Sequence, residues 1–159
     1  FALIDQNGDR RTDRDFRGQY LLIYFGYTFC PDVCPTTLTV MGNAVDRLGQ
    51  LSSRVTPIFV TVDPARDTPQ VLKAYLKSFG PHFVGLTGSP DAIAKIRHEY
   101  AVYAARQPLQ GGGYAMNHSS TIYLMGPNGK FLTHYDEVIG PEALAAGLKA
   151  QIAGTGNPA

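Results

Sequence analysis

An unbroken apolar run constrains the fold of this chain more than any other feature. Residues 20–25 read Tyr-Leu-Leu-Ile-Tyr-Phe, without alternation of apolar and polar positions. Such a run is typical of a strand buried on both faces of a parallel sheet. A similar run at residues 55–62 predicts a neighbouring strand. With 159 residues, the chain is expected to form one α/β domain over residues 1–159.

The remaining patterns predict the other elements of this domain. A turn with Asn7-Gly8 at its centre predicts a β-hairpin within an N-terminal extension over residues 1–17. Short strands are predicted at residues 83–87, 121–125 and 130–135, and helices at about residues 35–51, 69–79, 89–100 and 141–152. Residues 106–114, which contain three consecutive glycines, are expected to form a mobile loop, and residues 154–159 a frayed tail. This order predicts an α/β sandwich, with helices flanking a mixed central sheet.

Composition excludes two classes of function. A formal net charge of +1 argues against a dedicated nucleic-acid-binding protein, which would carry a strongly basic face. The chain has no stretch of about 18 consecutive apolar residues, so we expect no membrane span within it. Because it begins with Phe1 rather than Met, we expect a processed or truncated form.

The only two cysteines, Cys30 and Cys34, follow the first buried strand. Ligands of open α/β sheets gather beyond the carboxyl ends of the strands. Each cysteine precedes a proline, so we expect a shaped turn followed by a helix that begins at Pro35. The helix start is expected to lower the pKa of the thiols. Three interpretations stay open: a structural disulfide, a redox-active dithiol, or two ligands of a metal ion.

A soft metal ion would need a third ligand, which histidine commonly supplies. His118 directly precedes the predicted strand at residues 121–125, and it lies beside the cysteines if that strand is antiparallel to the first. A hydrogen-bonded structural histidine is an equally good interpretation. The other histidines, His82, His98 and His134, are expected to be solvated.

Asp63 ends the second buried strand, on the same edge of the sheet as the cysteines. It is interpreted either as a turn or capping residue, or as a group that supports the metal ligands. Met116 is a soft donor two residues before His118, and we expect it to pack rather than to bind metal.

Four ordered motifs extend over nearly the whole chain. They are TFCPDVCP at residues 28–35, VDPARDT at 62–68, GLTG at 85–88, and NHSS at 117–120 followed by Tyr123-Leu124. In this combination they closely resemble the Sco/SenC family, thioredoxin-fold copper proteins involved in assembling cytochrome c oxidase. The resemblance implies a thioredoxin-like, peroxiredoxin-related sandwich in which Cys30, Cys34 and His118 bind copper. The docking proline of thioredoxin-like enzymes is then replaced here by a ligand.

The resemblance also implies a function. Copper, as Cu(I) or Cu(II), would pass to the binuclear copper centre of cytochrome c oxidase subunit II. Alternatively, the Cys30–Cys34 dithiol would act as a thiol-disulfide reductase that keeps the cysteines of that centre reduced. A thioredoxin-fold peroxidase is disfavoured because the turn shows no dedicated peroxide site, and a redox or copper sensor stays open.

The setting implied by the resemblance is a membrane surface. Family members usually sit on an N-terminal membrane anchor that faces the bacterial periplasm or the mitochondrial intermembrane space. We expect a monomer, with another copper chaperone or a thioredoxin-like reductant as a further partner. One position departs from the family pattern, since Asn117 stands where Asp is more common. This change makes the site one charge less negative and leaves the histidine intact.

Overall fold

The structure is a computed structural model that describes residues 1–30 and 33–154, without the side chains of Val33 and Asn117. The strands in this part of the chain are β1 (Ala2–Asp5), β2 (Arg10–Thr12), β3 (Tyr20–Gly26), β4 (Val55–Thr61), β5 (Val84–Thr87), β6 (Ala104–Pro108), β7 (Tyr114–His118), β8 (Ile122–Met125) and β9 (Phe131–Tyr135). The helices are α1 (Val33–Asp46), α2 (Pro69–Leu76), α3 (Pro90–Glu99) and α4 (Pro141–Gly154). None of these helices is long and apolar enough to cross a membrane.

The main sheet is mixed, as predicted. Within the described residues its strand order is β2-β1-β5-β4-β3-β8-β9. β3 is buried along its whole length and pairs in parallel with β4 and antiparallel with β8. Tyr24 of β3 is opposite Ile122 of β8. The residues just before β8 therefore reach the carboxyl end of β3, where the cysteines follow.

Successive residues of β3 point to opposite faces of the sheet, and all of them are buried. Helices cover both faces. Leu22 packs in a cluster with Leu38 of α1 and Leu144 of α4. Ile23 packs in a second cluster with Ile93 of α3. All five side chains are at most 2% exposed, and fully burying such a side chain contributes about 1.5–3 kcal/mol.

The predicted N-terminal hairpin is present. β1 and β2 pair antiparallel, and the turn between them is closed by the Asp5 carboxylate, which accepts hydrogen bonds from the backbone N–H groups of Asn7 and Asp9. Gly8 has φ +85°, which suits glycine. β1 also pairs with β5, so the hairpin extends the main sheet.

The first helix begins earlier than the prolines predicted. α1 starts at Val33, and Cys34 is therefore helical. Proline is tolerated here because N–H groups in the first turn have no partner within the helix. The Cys34 N–H instead donates to the Cys30 Sγ at 3.4 Å, which stabilises the helix start. Pro31 and Asp32, which belong to the predicted turn, lie outside the described residues.

Strands flank the segment predicted as a mobile loop. Residues 106–108 and Tyr114 belong to a second, two-stranded sheet, and residues 109–113 form the turn between its strands. β6 and β7 pair antiparallel, and the turn between them contains Gly111, Gly112 and Gly113, all with positive φ. Both strands lack an alternating apolar pattern, so sequence periodicity did not reveal them. His118 is the last residue of β7.

The helices α2 and α4 begin where the sequence predicted, and their last residues differ from the prediction by two or three positions. Thr68 caps α2 by accepting a hydrogen bond from the Val71 N–H at 3.3 Å, and Pro69 is its first residue, as predicted. α4 extends to Gly154, whereas the rest of the predicted tail, residues 155–159, lies outside the described residues.

Candidate metal centre

Three potential metal-binding side chains converge beyond the carboxyl end of β3. Cys30, Cys34 and His118 each offer one donor atom, and these atoms lie within 4.8 Å of one another. The Cys34 Sγ is 3.7 Å from the His118 Nε2. Cys30 and Cys34 are thiols and do not form a disulfide with each other. Cys34 is fully buried, whereas Cys30 and His118 are partly exposed, so the cluster opens to solvent on one side.

The position and tautomer of His118 follow from its neighbours. Its Nδ1 lies 2.8 Å from the Ser119 carbonyl oxygen. Because a carbonyl only accepts hydrogen bonds, Nδ1 carries the proton, and in the neutral ring the lone pair of Nε2 faces the sulfur. The rings of Tyr24 and Tyr27 meet the imidazole edge-on, with centroids 6.3 and 5.7 Å away. The ring is thus oriented before any ligand binds.

The electrostatics of Cys34 differ from the prediction. Its pKa is raised, first because the thiol hydrogen-bonds to Cys30 and second because burial disfavours the thiolate. The expected lowering by the helix start is therefore wrong for this residue. The Tyr24 hydroxyl donates to the Cys34 Sγ at 3.8 Å, and burial raises the pKa of Tyr24 itself. A metal ion must consequently displace a proton from Cys34 in order to bind.

Asp67 holds the segment that leads into the cysteines. Its buried carboxylate accepts hydrogen bonds from the Thr28 N–H at 3.1 Å, the Thr28 hydroxyl at 2.6 Å and the Thr61 hydroxyl at 2.6 Å. Burial raises the pKa of Asp67, while these bonds act in the opposite direction. The neighbouring residue Thr68 caps α2, so the Asp67 carboxylate can bridge Thr28, which follows β3, and Thr61, the last residue of β4.

Asp63 is only 2% exposed, and it contacts other side chains rather than the donor atoms in the described part of the chain. One carboxylate oxygen accepts from the Tyr114 hydroxyl at 2.8 Å. The other accepts from the Arg66 Nε at 2.5 Å. Its backbone carbonyl also accepts from Arg66 and Asp67, as a turn residue does. Asp63 therefore connects the turn after β4 to the first residue of β7.

The other candidates lie where the sequence predicted. His82, His98 and His134 are exposed. Met116 packs against the apolar cluster that includes Ile93.

Two thiolates and one imidazole form a donor set with a clear chemical preference. Thiolate is a soft ligand that selects Cu(I), and imidazole binds copper in both of its common oxidation states. Three donors suit three-coordinate Cu(I), and the open side leaves room for the further ligand that Cu(II) prefers. The residues present therefore fit a copper ion.

The fold and this cluster define a class: a thioredoxin-like domain with a Cys-Cys-His donor set at the end of its first buried strand. The family model described as SCO1/SenC matches residues 1–153, and the chain belongs to this family. An SCO2-like protein of Rickettsia felis is 42% identical over 153 residues, which cover 94% of this chain and 74% of that protein. The mitochondrial SCO1 homologue of Homo sapiens is 40% identical over 140 residues, or 86% of this chain and 46% of that protein.

Solved structures show the same fold. The structure of Bradyrhizobium japonicum ScoI with copper bound is 45% identical, with a TM-score of 0.89 over 96% of this chain and 97% of that one. Arabidopsis thaliana ScoI with copper bound is 36% identical, with a TM-score of 0.92 over 97% of this chain and 96% of that one. The predicted thioredoxin-like fold is thereby confirmed.

Proposed function

We propose that this protein is a copper metallochaperone that delivers copper to the binuclear copper centre of cytochrome c oxidase subunit II. The observation that carries the proposal is the 3.7 Å distance from the His118 Nε2 to the Cys34 Sγ, beside Cys30. A dithiol reductase needs no imidazole at this place. Two similar proteins were solved with copper bound, and a third, BsSco, is described as a member of the Sco family of cytochrome c oxidase assembly proteins.

The burial of the three donors suits a cargo that must be handed over. Cys30 and His118 are partly exposed, so ligands of an acceptor can replace them first, while buried Cys34 holds the ion until the end. Cu(I) would use the three donors alone, and Cu(II) would add a ligand from the open side. Asp63 would support the ligands indirectly, through its bonds to Arg66 and Tyr114.

The proposed setting is a membrane surface that faces the bacterial periplasm or the mitochondrial intermembrane space. Support comes from the mitochondrial names of several relatives and from a similar structure described as a SCO1/SenC family lipoprotein. An N-terminal anchor would hold the domain there as a monomer. Another copper chaperone would supply the ion, and a thioredoxin-like reductant would keep the thiols reduced.

Copper titration of His118→Ala tests the ligand set, with His98→Ala as the matched control because His98 is exposed on α3. The parent and the control should bind one copper ion per chain, and their Cu(II) forms should show strong sulfur-to-copper charge-transfer absorption. His118→Ala should bind Cu(II) more weakly and with a changed spectrum. An unchanged affinity and spectrum in this variant would refute the assignment.

A transfer experiment tests the function itself. The copper-loaded protein is mixed with an apo oxidase subunit II domain, and both the copper and the thiol state of each partner are followed. Delivery predicts that copper moves while the thiols of the acceptor stay reduced. In a parallel experiment the acceptor starts as the disulfide. If copper is never transferred to the reduced acceptor, and the oxidised acceptor is reduced while Cys30 and Cys34 form a disulfide, the metallochaperone proposal fails.

The alternative function, a thiol-disulfide reductase, is favoured by one observation. Both cysteines are thiols, and the Cys34 N–H donates to the Cys30 Sγ at 3.4 Å, so the two residues are close neighbours. The solved structure of BsSco is described as identifying a disulfide switch in that protein. A reversible Cys30–Cys34 disulfide should release copper, and copper retention after mass spectrometry has confirmed the disulfide would contradict this coupling. His118→Ala separates the functions, since a reductase should retain its activity.

A further inference from the structure

A single arginine side chain joins three segments around the donor cluster. The Arg66 Nε donates to Asp63, which follows β4, and its Nη1 donates to the Tyr114 carbonyl oxygen at 2.9 Å, at the start of β7. The guanidinium also lies over two rings, with Cζ 3.8 Å from the ring centre of Tyr114 and 4.3 Å from that of Phe29. Phe29 directly precedes Cys30. The cysteine segment, the turn after β4 and β7 therefore meet at one cation.

This meeting point is connected to His118 in two ways. Tyr114 and His118 are the first and last residues of β7, so the strand itself links them. The ring of Tyr27 lies 5.9 Å from the Arg66 Cζ and meets the His118 ring edge-on at 5.7 Å. A displacement of the guanidinium thus acts on the imidazole through the backbone and through an aromatic contact.

The β6–β7 hairpin depends on such a contact because it forms a sheet of its own, separate from the main sheet. At the His118 end it is tied to the domain by Arg97, which donates to the Ala104 carbonyl oxygen at 3.1 Å. Ala104 and His118 are paired in the hairpin. The Arg66 bond to Tyr114 is at the other end of β7, next to the glycine turn. Together with the hydrogen bond from the Tyr114 hydroxyl to Asp63, Arg66 therefore holds the end of the hairpin next to the glycine turn.

We propose that Arg66 is a positioning residue that holds the β6–β7 hairpin against the cysteine segment and thereby keeps His118 in place. This role rests on the proposed copper function. Arg66 slows the release of copper and does not change the number of copper ions that the chain binds. The planar, forked shape of the guanidinium is needed, because the same group bonds Asp63 and the Tyr114 carbonyl oxygen while it lies over the Tyr114 and Phe29 rings. Lysine keeps the charge but neither the fork nor the plane.

The first test uses the apo protein and needs no metal. Amide hydrogen exchange is measured for Arg66→Ala, Arg66→Lys and a matched control, Arg54→Ala. Arg54 also lies over a tyrosine ring, with Cζ 5.5 Å from the ring centre of Tyr20, at the end of β3 far from the cysteines. Exchange in β7 should rise about tenfold in Arg66→Ala, which corresponds to about 1.4 kcal/mol. Arg66→Lys should fall between this variant and the parent, and Arg54→Ala should match the parent.

Exchange in β3 serves as the check on folding, and it should stay slow in every variant. If β7 exchanges at the parental rate in Arg66→Ala, or equally fast in Arg54→Ala, Arg66 does not hold the hairpin.

The second test measures release of Cu(I) to a chromophoric chelator. Arg66→Ala should still bind one copper ion but release it about tenfold faster, with Arg66→Lys between. In a His118→Ala background, Arg66→Ala should add no further acceleration, because its effect passes through the imidazole. An equal acceleration in both backgrounds would overturn the proposal. If the parent binds no copper, the proposed function fails, and the exchange experiment still decides the role of Arg66.

Discussion

Gly26 lies directly against Cys34: a Cβ atom built on this glycine would be 2.7 Å from the Cys34 Sγ. The same Cβ would lie 2.9 Å from the Phe59 ring. The sulfur therefore occupies the space that a side chain on the last residue of β3 would fill. The Cys34 sulfur is therefore packed as tightly as a methyl group in the core.

Gly26→Ala is expected to displace the Cys34 sulfur and weaken copper binding, because the rigid Phe59 ring leaves the new methyl group no other space. Overpacking of this kind lowers the free energy of unfolding by about 1–3 kcal/mol. Chemical denaturation and copper titration measure the two effects. Gly85→Ala is the matched control, since its Cβ would lie 2.6 Å from Leu76 Cδ1, away from the site. The expectation is wrong if both variants bind copper like the parent.

Asp67→Ala is expected to lower the free energy of unfolding by about 2–4 kcal/mol, because it leaves the buried donors of Thr28 and Thr61 without an acceptor. Asp67→Asn should cost less. Its amide oxygen can still accept from the Thr28 N–H, and the Thr28 hydroxyl can turn to accept from the new NH₂ group. Urea unfolding of both variants measures the difference, and equal losses would contradict the assigned bonds.

The same carboxylate predicts a pH dependence. Burial raises the folded-state pKa of Asp67 above its ordinary value of 3.8. As pH rises, the unfolded chain therefore loses the Asp67 proton at a lower pH than the folded chain does. The contribution of Asp67 to stability consequently falls as pH rises from the unfolded-state pKa to the folded-state pKa. The stability of Asp67→Asn relative to the parent should increase over this range. A difference that is independent of pH between 3 and about 7 would show that the carboxyl does not titrate as inferred.

Cys30 is expected to react with iodoacetamide well before Cys34 at neutral pH. Cys34 is fully buried and its pKa is raised, so it presents little thiolate, whereas Cys30 is partly exposed. Mass spectrometry of peptides from briefly labelled apo protein measures the order. Cys34→Ser should leave the remaining thiol reactive, and Cys30→Ser should leave one that reacts slowly. Faster labelling at Cys34 would contradict the burial and the pKa direction.

Copper is expected to bind His118 through Nε2, because Nδ1–H is already donated to the Ser119 carbonyl oxygen. Nitrogen-15 NMR of the imidazole in the apo and Cu(I) states measures this. The Nδ1 proton should persist in both states, and the Nε2 resonance should move when copper is added. Loss of the Nδ1 proton on copper binding would reverse the assignment.

Most of the main sheet could be predicted because the apolar pattern of each strand reflects how deeply that strand is buried. The unbroken apolar run of β3 indicated burial on both faces, and its position before Cys30 indicated the functional edge. The sequence places His118 at that edge only if β8 is antiparallel to β3, and this pairing is observed.

The parts that sequence reasoning missed depend on contacts between distant segments. β6 and β7 are held by each other and by arginine side chains, and they carry no periodic apolar signal. The roles of Asp67 and Arg66 became visible only when Thr28 and Tyr114 were placed beside them. The pKa of Cys34 could not be read from its helix, because burial and a second sulfur outweigh the helix start.

The separation of 84 residues between Cys34 and His118 gives a bound copper ion a second expected effect. An ion bound to both would act as a cross-link that closes more than half of the chain into a loop, which restricts the unfolded chain as a long-range disulfide does. The loaded form should therefore resist heat and proteases better than the empty form. If the protein delivers copper as proposed, delivery would remove this cross-link, and the empty form would be degraded faster than the loaded form.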